Sequence, residues 1–279
     1  MTTSEAPLIL AFVADLLFAA KIESAAQRLG FRLQWVDSAA HVEAETNPDR
    51  PGEPLSGPGS RLIRFVAAAQ PALLIFDLGQ PDLPWRQWLG ALKSSPATRR
   101  FPVLCFGPHV DSDSLTAARQ LGADSVVTRS RFSQALPDLL QQAVRHPDRA
   151  AVAAACAEPL AAAARQGIAL FNAGAYFEAH EELELAWKAD EGAGRELYRA
   201  ILQVAVAYLQ IERGNFRGAL KMFLRVRQWL APLPAVCRGV DVADLRAGVE
   251  QAQRALEALG EADVNRFDRT LFRPVKTAD

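Results

Sequence analysis

The chain has 279 residues, enough for two domains, and its 50% hydrophobic and 23% charged content is an ordinary globular balance with apolar material for two cores. A net charge of −1 excludes a global basic field that would draw the protein to nucleic acid or anionic lipid. The three cysteines, Cys105, Cys156 and Cys237, are odd in number, far apart and without CxxC spacing, which predicts buried free thiols in a reducing compartment rather than a disulfide or a zinc cluster.

The N-terminal apolar run has no basic segment before it, and Asp15 and Lys21 interrupt it before it could span a membrane. It reads as a buried strand, Leu8 to Val13, running into a helix over 15–29 that stops at Gly30. With no export signal and no membrane span, the expected location is the cytoplasm. Further strands are predicted over 31–36, 72–76, 103–106 and 125–127, and helices over 61–69, 84–93, 111–121 and 131–145. The Pro- and Gly-rich stretch from Asn47 to Gly59 has no apolar period and is expected to be a flexible loop. Five β-α units in succession imply a doubly wound, five-stranded parallel α/β sheet for residues 1–149.

Pro147 ends this pattern, and from residue 150 to 279 the chain reads as all-helical. Helices are predicted over 159–172, 176–189, 195–212, 216–230 and 242–259. The segment Gly174-Ala-Tyr-Phe-Glu-Ala179-His180 returns as Gly214-Asn-Phe-Arg-Gly-Ala219-Leu220, so a helical hairpin is duplicated in a manner like tetratricopeptide repeats. The Gly turns the chain and the Ala allows close helix approach. The tail from Asn265 to Lys276 is expected to pack along the surface.

The repeat sets His180 against Leu220 and Glu184 against Leu224, which predicts a core-facing stripe of Phe177, His180, Glu184 and Trp187, with Glu181 at its edge. A buried carboxylate needs partners, and Arg195, Arg199 and Gln203 are the candidates. Two readings of the set His180, Glu181, Glu184, Trp187, Arg195 and Gln203 stay open: a polar network locking the hairpins, or a ligand- or peptide-binding pocket. A metal site would need more imidazoles than the helical half has, so no metal and no cofactor are assigned. The basic residues Arg213, Arg217, Lys221, Arg225 and Arg227 are read as a solvated helix face rather than a nucleic-acid surface.

Two resemblances follow from these residues. Leu73-Leu-Ile-Phe-Asp77, Pro102-Val-Leu-Cys-Phe-Gly107 and Gly122-Ala-Asp-Ser-Val-Val-Thr-Arg129 resemble the receiver domain of bacterial response regulators. The resemblance implies that Asp77 stands where such domains accept a phosphoryl group. It also exposes the departures: Val13-Ala14 replace the two metal-holding acids and leave only Asp15 nearby, Gly107 replaces the hydroxyl residue, and Arg129 replaces the lysine. Asp15, Asp77 and Arg129 are therefore a vestigial site, with Arg129 as the salt-bridge partner of Asp77. The second resemblance covers residues 160–230. His180-Glu-Glu-Leu-Glu184-Leu-Ala-Trp187, followed by Arg195, Leu202-Gln203 and Gly214-Asn-Phe-Arg-Gly-Ala219, is similar to an all-helical family known as domain of unknown function 309, with Ala200 where that family usually has Gly. It implies a fold and a motif but no activity.

Together these readings describe a non-enzymatic regulatory or interaction protein. A phosphorylation-independent receiver-like module is fused to a helical module that binds a protein partner or a small ligand. It makes no membrane contact, is not expected to bind nucleic acid, and could form homo-oligomers. The alternative is a small-molecule enzyme, metal-dependent or an acid-base hydrolase, with its site at His180, Glu181 and Glu184.

Overall fold

Residues 6–44, 60–145 and 148–277 are described by a computed structural model. The Pro- and Gly-rich stretch expected to be a flexible loop lies outside them. The chain divides into two compact units, Met1–His146 and Pro147–Asp279.

In the first unit, the strands are β1 (Leu8–Phe12), β2 (Arg32–Val36), β3 (Leu73–Asp77), β4 (Val103–Gly107) and β5 (Ser125–Thr128). All pair in parallel, in the order β2-β1-β3-β4-β5, the doubly wound arrangement with its switch point between β1 and β3. The helices among the described residues are, in chain order, α1 (Leu16–Arg28), α2 (Ala39–Ala44), α3 (Ser60–Ala69), α4 (Trp85–Ser94), α5 (Ser112–Gln120) and α6 (Arg129–Ala143). The uninterrupted apolar runs of β1, β3 and β4 have a direct cause: both faces of the sheet are covered. Leu10, Phe12, Leu74, Phe76 and Cys105 point into one core with Leu62, Trp88 and Leu115. Their neighbours Ile9, Ala11, Ile75, Leu104 and Phe106 point into the other, under α1 and α6, with Ile22, Phe132 and Leu140. Pro137 sits inside α6, and the turn before it breaks regular geometry at Ala135, as a missing N–H donor requires.

In the second unit, α7 (Arg149–Cys156) is capped by the Asp148 side chain, which accepts from the Ala151 N–H at 2.9 Å. Two hairpins follow: α8 (Ala162–Asn172) with α9 (Tyr176–Ala189), and α10 (Glu196–Glu212) with α11 (Phe216–Leu230). The duplicated turns are alike in conformation. Gly174 has φ +80° and Gly214 has φ +69°, a region that costs residues with a Cβ about 1 kcal/mol or more. Ala179 and Ala219 are both fully buried where their helices cross the preceding ones. A short hairpin, β6 (Val236–Cys237) and β7 (Val240–Asp241), leads into α12 (Val242–Leu259), which packs on α11. The tail is tied down at defined points. Asn172 donates to the Val275 carbonyl at 3.0 Å and accepts from the Val275 N–H at 2.7 Å, and the Phe272 ring stacks on Tyr208 at 4.3 Å. Among the described residues no helix is long and apolar enough to cross a membrane.

The cysteine reading needs correction. Cys156, at the end of α7, and Cys237, in β6, form a disulfide that closes a sequence separation of 81 residues. Such spacing says nothing about proximity; the fold brings the two Cα atoms to 4.3 Å. Arg238, next in the chain, reinforces the junction. Its N–H donates to the Cys156 carbonyl at 2.6 Å, and its Nε donates to the Ala155 carbonyl at 3.0 Å. Its guanidinium also reaches Glu158 at 3.0 Å, Asp190 at 2.6 Å and the Tyr198 hydroxyl.

Cys105 is the remaining, free cysteine, and burial pushes its thiol up to about 12. A thiol titration of the folded, unreduced protein at pH 8 is therefore expected to find no reactive group. One should appear on denaturation and three after reduction. A reactive thiol in the native protein would contradict the burial of Cys105 or the pairing of the other two.

Candidate functional sites

The carboxyl edge of the parallel sheet is where such folds place their chemistry, and β3 delivers Asp77 there with its side chain fully buried. Its two oxygens are fully occupied. Oδ1 accepts from the Gly79 N–H at 2.9 Å and from Arg129 Nη2 at 3.1 Å, while Oδ2 accepts from Gln80 Nε2 at 3.1 Å and from the same Nη2 at 3.0 Å. Arg129, the first residue of α6, therefore holds both carboxylate oxygens with one nitrogen. Gly79 makes room for it: a Cβ there would lie 2.6 Å from Arg129 Nη2. The Arg129 guanidinium also rests 5.3 Å from the centre of the Phe18 ring.

The other residues of a phosphoryl-accepting site are not merely substituted. Val13 is buried with the core. Asp15 turns to another task, capping α1 by accepting from the Leu17 N–H at 2.9 Å and the Phe18 N–H at 3.4 Å. Gly107 abuts Leu78, whose Cβ would stand 3.1 Å from a Cβ on residue 107, so a hydroxyl residue would have to displace it. A side-chain cation stands beside the carboxylate, and its lone pairs are used.

In the helical unit, the expected stripe is rotated. The buried face of α9 is Tyr176, Ala179, Leu183 and Ala186. Phe177 is 49% exposed, Glu181 is exposed, and His180, Glu184 and Trp187 lie half-buried on the shoulder of the helix. The repeat misled because its two copies have different neighbours. α11 is covered by α10 on one side and α12 on the other, so Leu220 and Leu224 are buried, whereas α9 packs chiefly on α8 and α10. The expected polar network is likewise not assembled. Glu184 pairs with Lys188 at 3.1 Å, one turn along its own helix, and no hydrogen bond joins His180 to Arg195 or Gln203 among the described residues.

A different group forms one turn further on. The guanidinium of Arg199, on α10, lies 4.8 Å from the centre of the Trp187 ring on α9 and 3.7 Å from that of Trp229 on α11, so it is layered between two indoles. Arg195, in the short 3-10 turn Ala193–Arg195, sits 5.0 Å from the same Trp187 ring and donates to the Asp190 carbonyl at 3.4 Å. Glu196 reaches Arg199 at 3.9 Å, too far for a hydrogen bond. Burial holds the Arg199 guanidinium below its ordinary pKa; Glu196 opposes that shift, and the neighbouring charges of Arg225 and Arg195 add to it. Trp187 Nε1, Gln203 Oε1 and Arg225 Nε are buried here without a hydrogen-bond partner among the described residues.

Thus Trp187, Arg195 and Arg199 come together, with Gln203 one turn along α10 from Arg199, and His180, Glu181 and Glu184 stay outside. Sequence reading missed Trp229, and Arg225 was placed on a solvated face. That face is mixed: Arg213, Arg217 and Lys221 are exposed, but Arg225 and Arg227 are half-buried, Arg227 bonding Gln253 at 3.1 and 3.0 Å. The run Arg225-Val-Arg-Gln-Trp229, with an Arg and a Trp one helical turn apart, was the available signal.

The first unit is similar to a response-regulator receiver domain from Rhodospirillum rubrum, at 22% identity over 50% of this chain and 97% of that one, with a TM-score of 0.37. It is also similar to a response regulator from Hahella chejuensis, at 18% identity over 51% and 100%, with a TM-score of 0.39. A phosphorylated cyanobacterial phytochrome response regulator matches at 18% identity over 50% and 94%, with a TM-score of 0.39. No curated protein matches the chain. Residues 164–222, in the helical second unit, match the family described as Domain of unknown function (DUF309).

Proposed function

We propose that this chain is a non-enzymatic regulatory or interaction protein, whose receiver-like unit works without phosphoryl transfer and whose helical unit binds a ligand. The observation that carries the first part is the saturation of Asp77. A carboxylate must offer a free oxygen lone pair to attack phosphorus, and here Gly79, Gln80 and Arg129 engage both oxygens. Phosphoryl transfer is catalysed by positioning and by charge placed on the phosphoryl oxygens. Arg129 spends its charge on the acceptor itself.

What remains is a surface that does not switch by phosphorylation, and a docking role suits such a scaffold. The hairpins of the second unit, arranged in a tetratricopeptide-like succession, offer a cationic, aromatic-lined group that is half open to solvent. The enzyme alternative at His180, Glu181 and Glu184 draws no support from geometry, because Glu184 is engaged by Lys188 and none of the three residues is buried. In the cytoplasm, the expected location, the Cys156–Cys237 bond would face a reducing environment and open unless the fold protects it.

The test is acetyl phosphate labelling of the full chain with magnesium present. No incorporation is expected in the wild type. Incorporation that Asp77→Asn abolishes would overturn the phosphorylation-independent reading. The ligand-binding part is tested by thermal unfolding of the full chain against a panel of metabolites and peptides. Saturable stabilisation by at least one of them is expected.

A further inference from the structure

Positive charge gathers locally around Arg199. The charged groups that act on Arg199 are one acid, Glu196, and two further arginines, Arg195 and Arg225. Two like charges and one opposite charge therefore act on Arg199 in a half-buried setting, where unbalanced charge is more costly than in water. Arg199 itself is only 23% exposed along its side chain, yet it makes no hydrogen bond among the described residues. It lies over both the Trp187 and the Trp229 rings, at 4.8 and 3.7 Å from their centres, and such contacts leave guanidinium N–H donors free to bond an anion. Two more donors nearby, Trp187 Nε1 and Arg225 Nε, are buried without an acceptor. Buried donors in native proteins nearly always have one.

Free guanidinium donors, unused donors nearby and surplus positive charge are jointly satisfied by one kind of group: an oxyanion with several acceptor oxygens and more than one negative charge. We propose that Arg199, layered between Trp187 and Trp229 and flanked by Arg195 and Arg225, forms a binding site for the phosphoryl group of a small soluble ligand. Arg199 presents parallel N–H donors to two phosphoryl oxygens. Arg195 and Arg225 balance the second negative charge.

This inference rests on the reading of the helical unit as a ligand-binding module, and the experiment separates the two. The full chain is titrated with inorganic phosphate, and separately with succinate, at constant ionic strength. Melting temperature and calorimetric heat are recorded for the wild type and for Arg225→Gln. Phosphate is expected to raise the wild-type melting temperature saturably. Arg225→Gln should melt within a few degrees of the wild type without phosphate and bind phosphate about tenfold more weakly, as the loss of one charge-assisted contact predicts. Should that variant melt far lower, Arg195→Gln carries the same comparison. A phosphate response that survives both substitutions places the anion elsewhere and overturns the proposal. A response to succinate alone, lost in the variants, overturns the phosphoryl assignment and leaves the ligand-binding reading standing. Absence of any response to either anion overturns the site; the module reading is then decided by the metabolite and peptide panel.

Discussion

Arg129→Ala is expected to destabilise the first unit by about 3 kcal/mol, the low end of the range for removing one partner of a buried ion pair. The low end applies because the Arg129 side chain is 32% exposed, although Asp77 is fully buried. The loss arises less from the missing attraction than from what remains. Asp77 keeps the Gly79 N–H and Gln80, but its charge has no counterion in a fully buried site. A second substitution isolates this cause. Asp77→Asn in the Arg129→Ala background removes the stranded charge while keeping shape and most hydrogen bonds, so the double variant should be more stable than Arg129→Ala alone. Hydrogen exchange followed by mass spectrometry is the suitable readout, because peptides from β3, β4 and β5 report on this unit separately from the helical one. A cost below about 1 kcal/mol, or a double variant no better than the single, would mean that Asp77 does not depend on Arg129. The pair would then have no claim to replace the phosphorylation chemistry.

Reduction of the Cys156–Cys237 disulfide is expected to cost the helical unit about 2–4 kcal/mol while leaving its native contacts in place. The bond closes 81 residues, and the chain-entropy estimate for such a loop is about 4.5 kcal/mol, an upper figure because denatured chains are not random coils. The native state should change little, because Arg238 holds the end of α7 independently. It binds the carbonyls of Ala155 and Cys156 and the side chains of Glu158, Asp190 and Tyr198. The effect therefore belongs to the unfolded chain: reduction restores its freedom. In hydrogen exchange, reduction should lower the protection of α9, α10 and α11 together, by the same free energy, with no local opening of α7. If α7 alone loses protection, the disulfide rather than Arg238 fastens that helix. If nothing changes, the bond does not form in solution. Arg238 also bears a conformational cost, with φ +51° in the two-residue turn before Gly239 at φ +78°, which its many partners offset.

Much of the first unit was legible because its signals are local. Runs such as Leu73-Leu-Ile-Phe are apolar without alternation only when both faces of a strand are covered, and that alone implies a parallel sheet with helices on both sides. The pairing of Asp77 with Arg129 was legible from their positions at the ends of β3 and β5, which the strand order makes neighbours across one intervening strand. The helical hairpins were legible from the two Gly turns, because positive φ is a property of one residue and its sequence.

What escaped the sequence depended on which element covers which. The same helical position is buried in α11 and half-exposed in α9 because α12 exists on only one side, so Leu220 predicts nothing about His180. Cys156 and Cys237 carry no spacing signal, and only the return of β6 to the end of α7 makes them neighbours. Trp187, Arg199 and Trp229 come from three helices, and no periodicity within one helix reports a stack across three. Residue type and local period thus determined the elements and their turns. The contacts between elements, which set burial and bring distant charges together, were decided only by the tertiary structure.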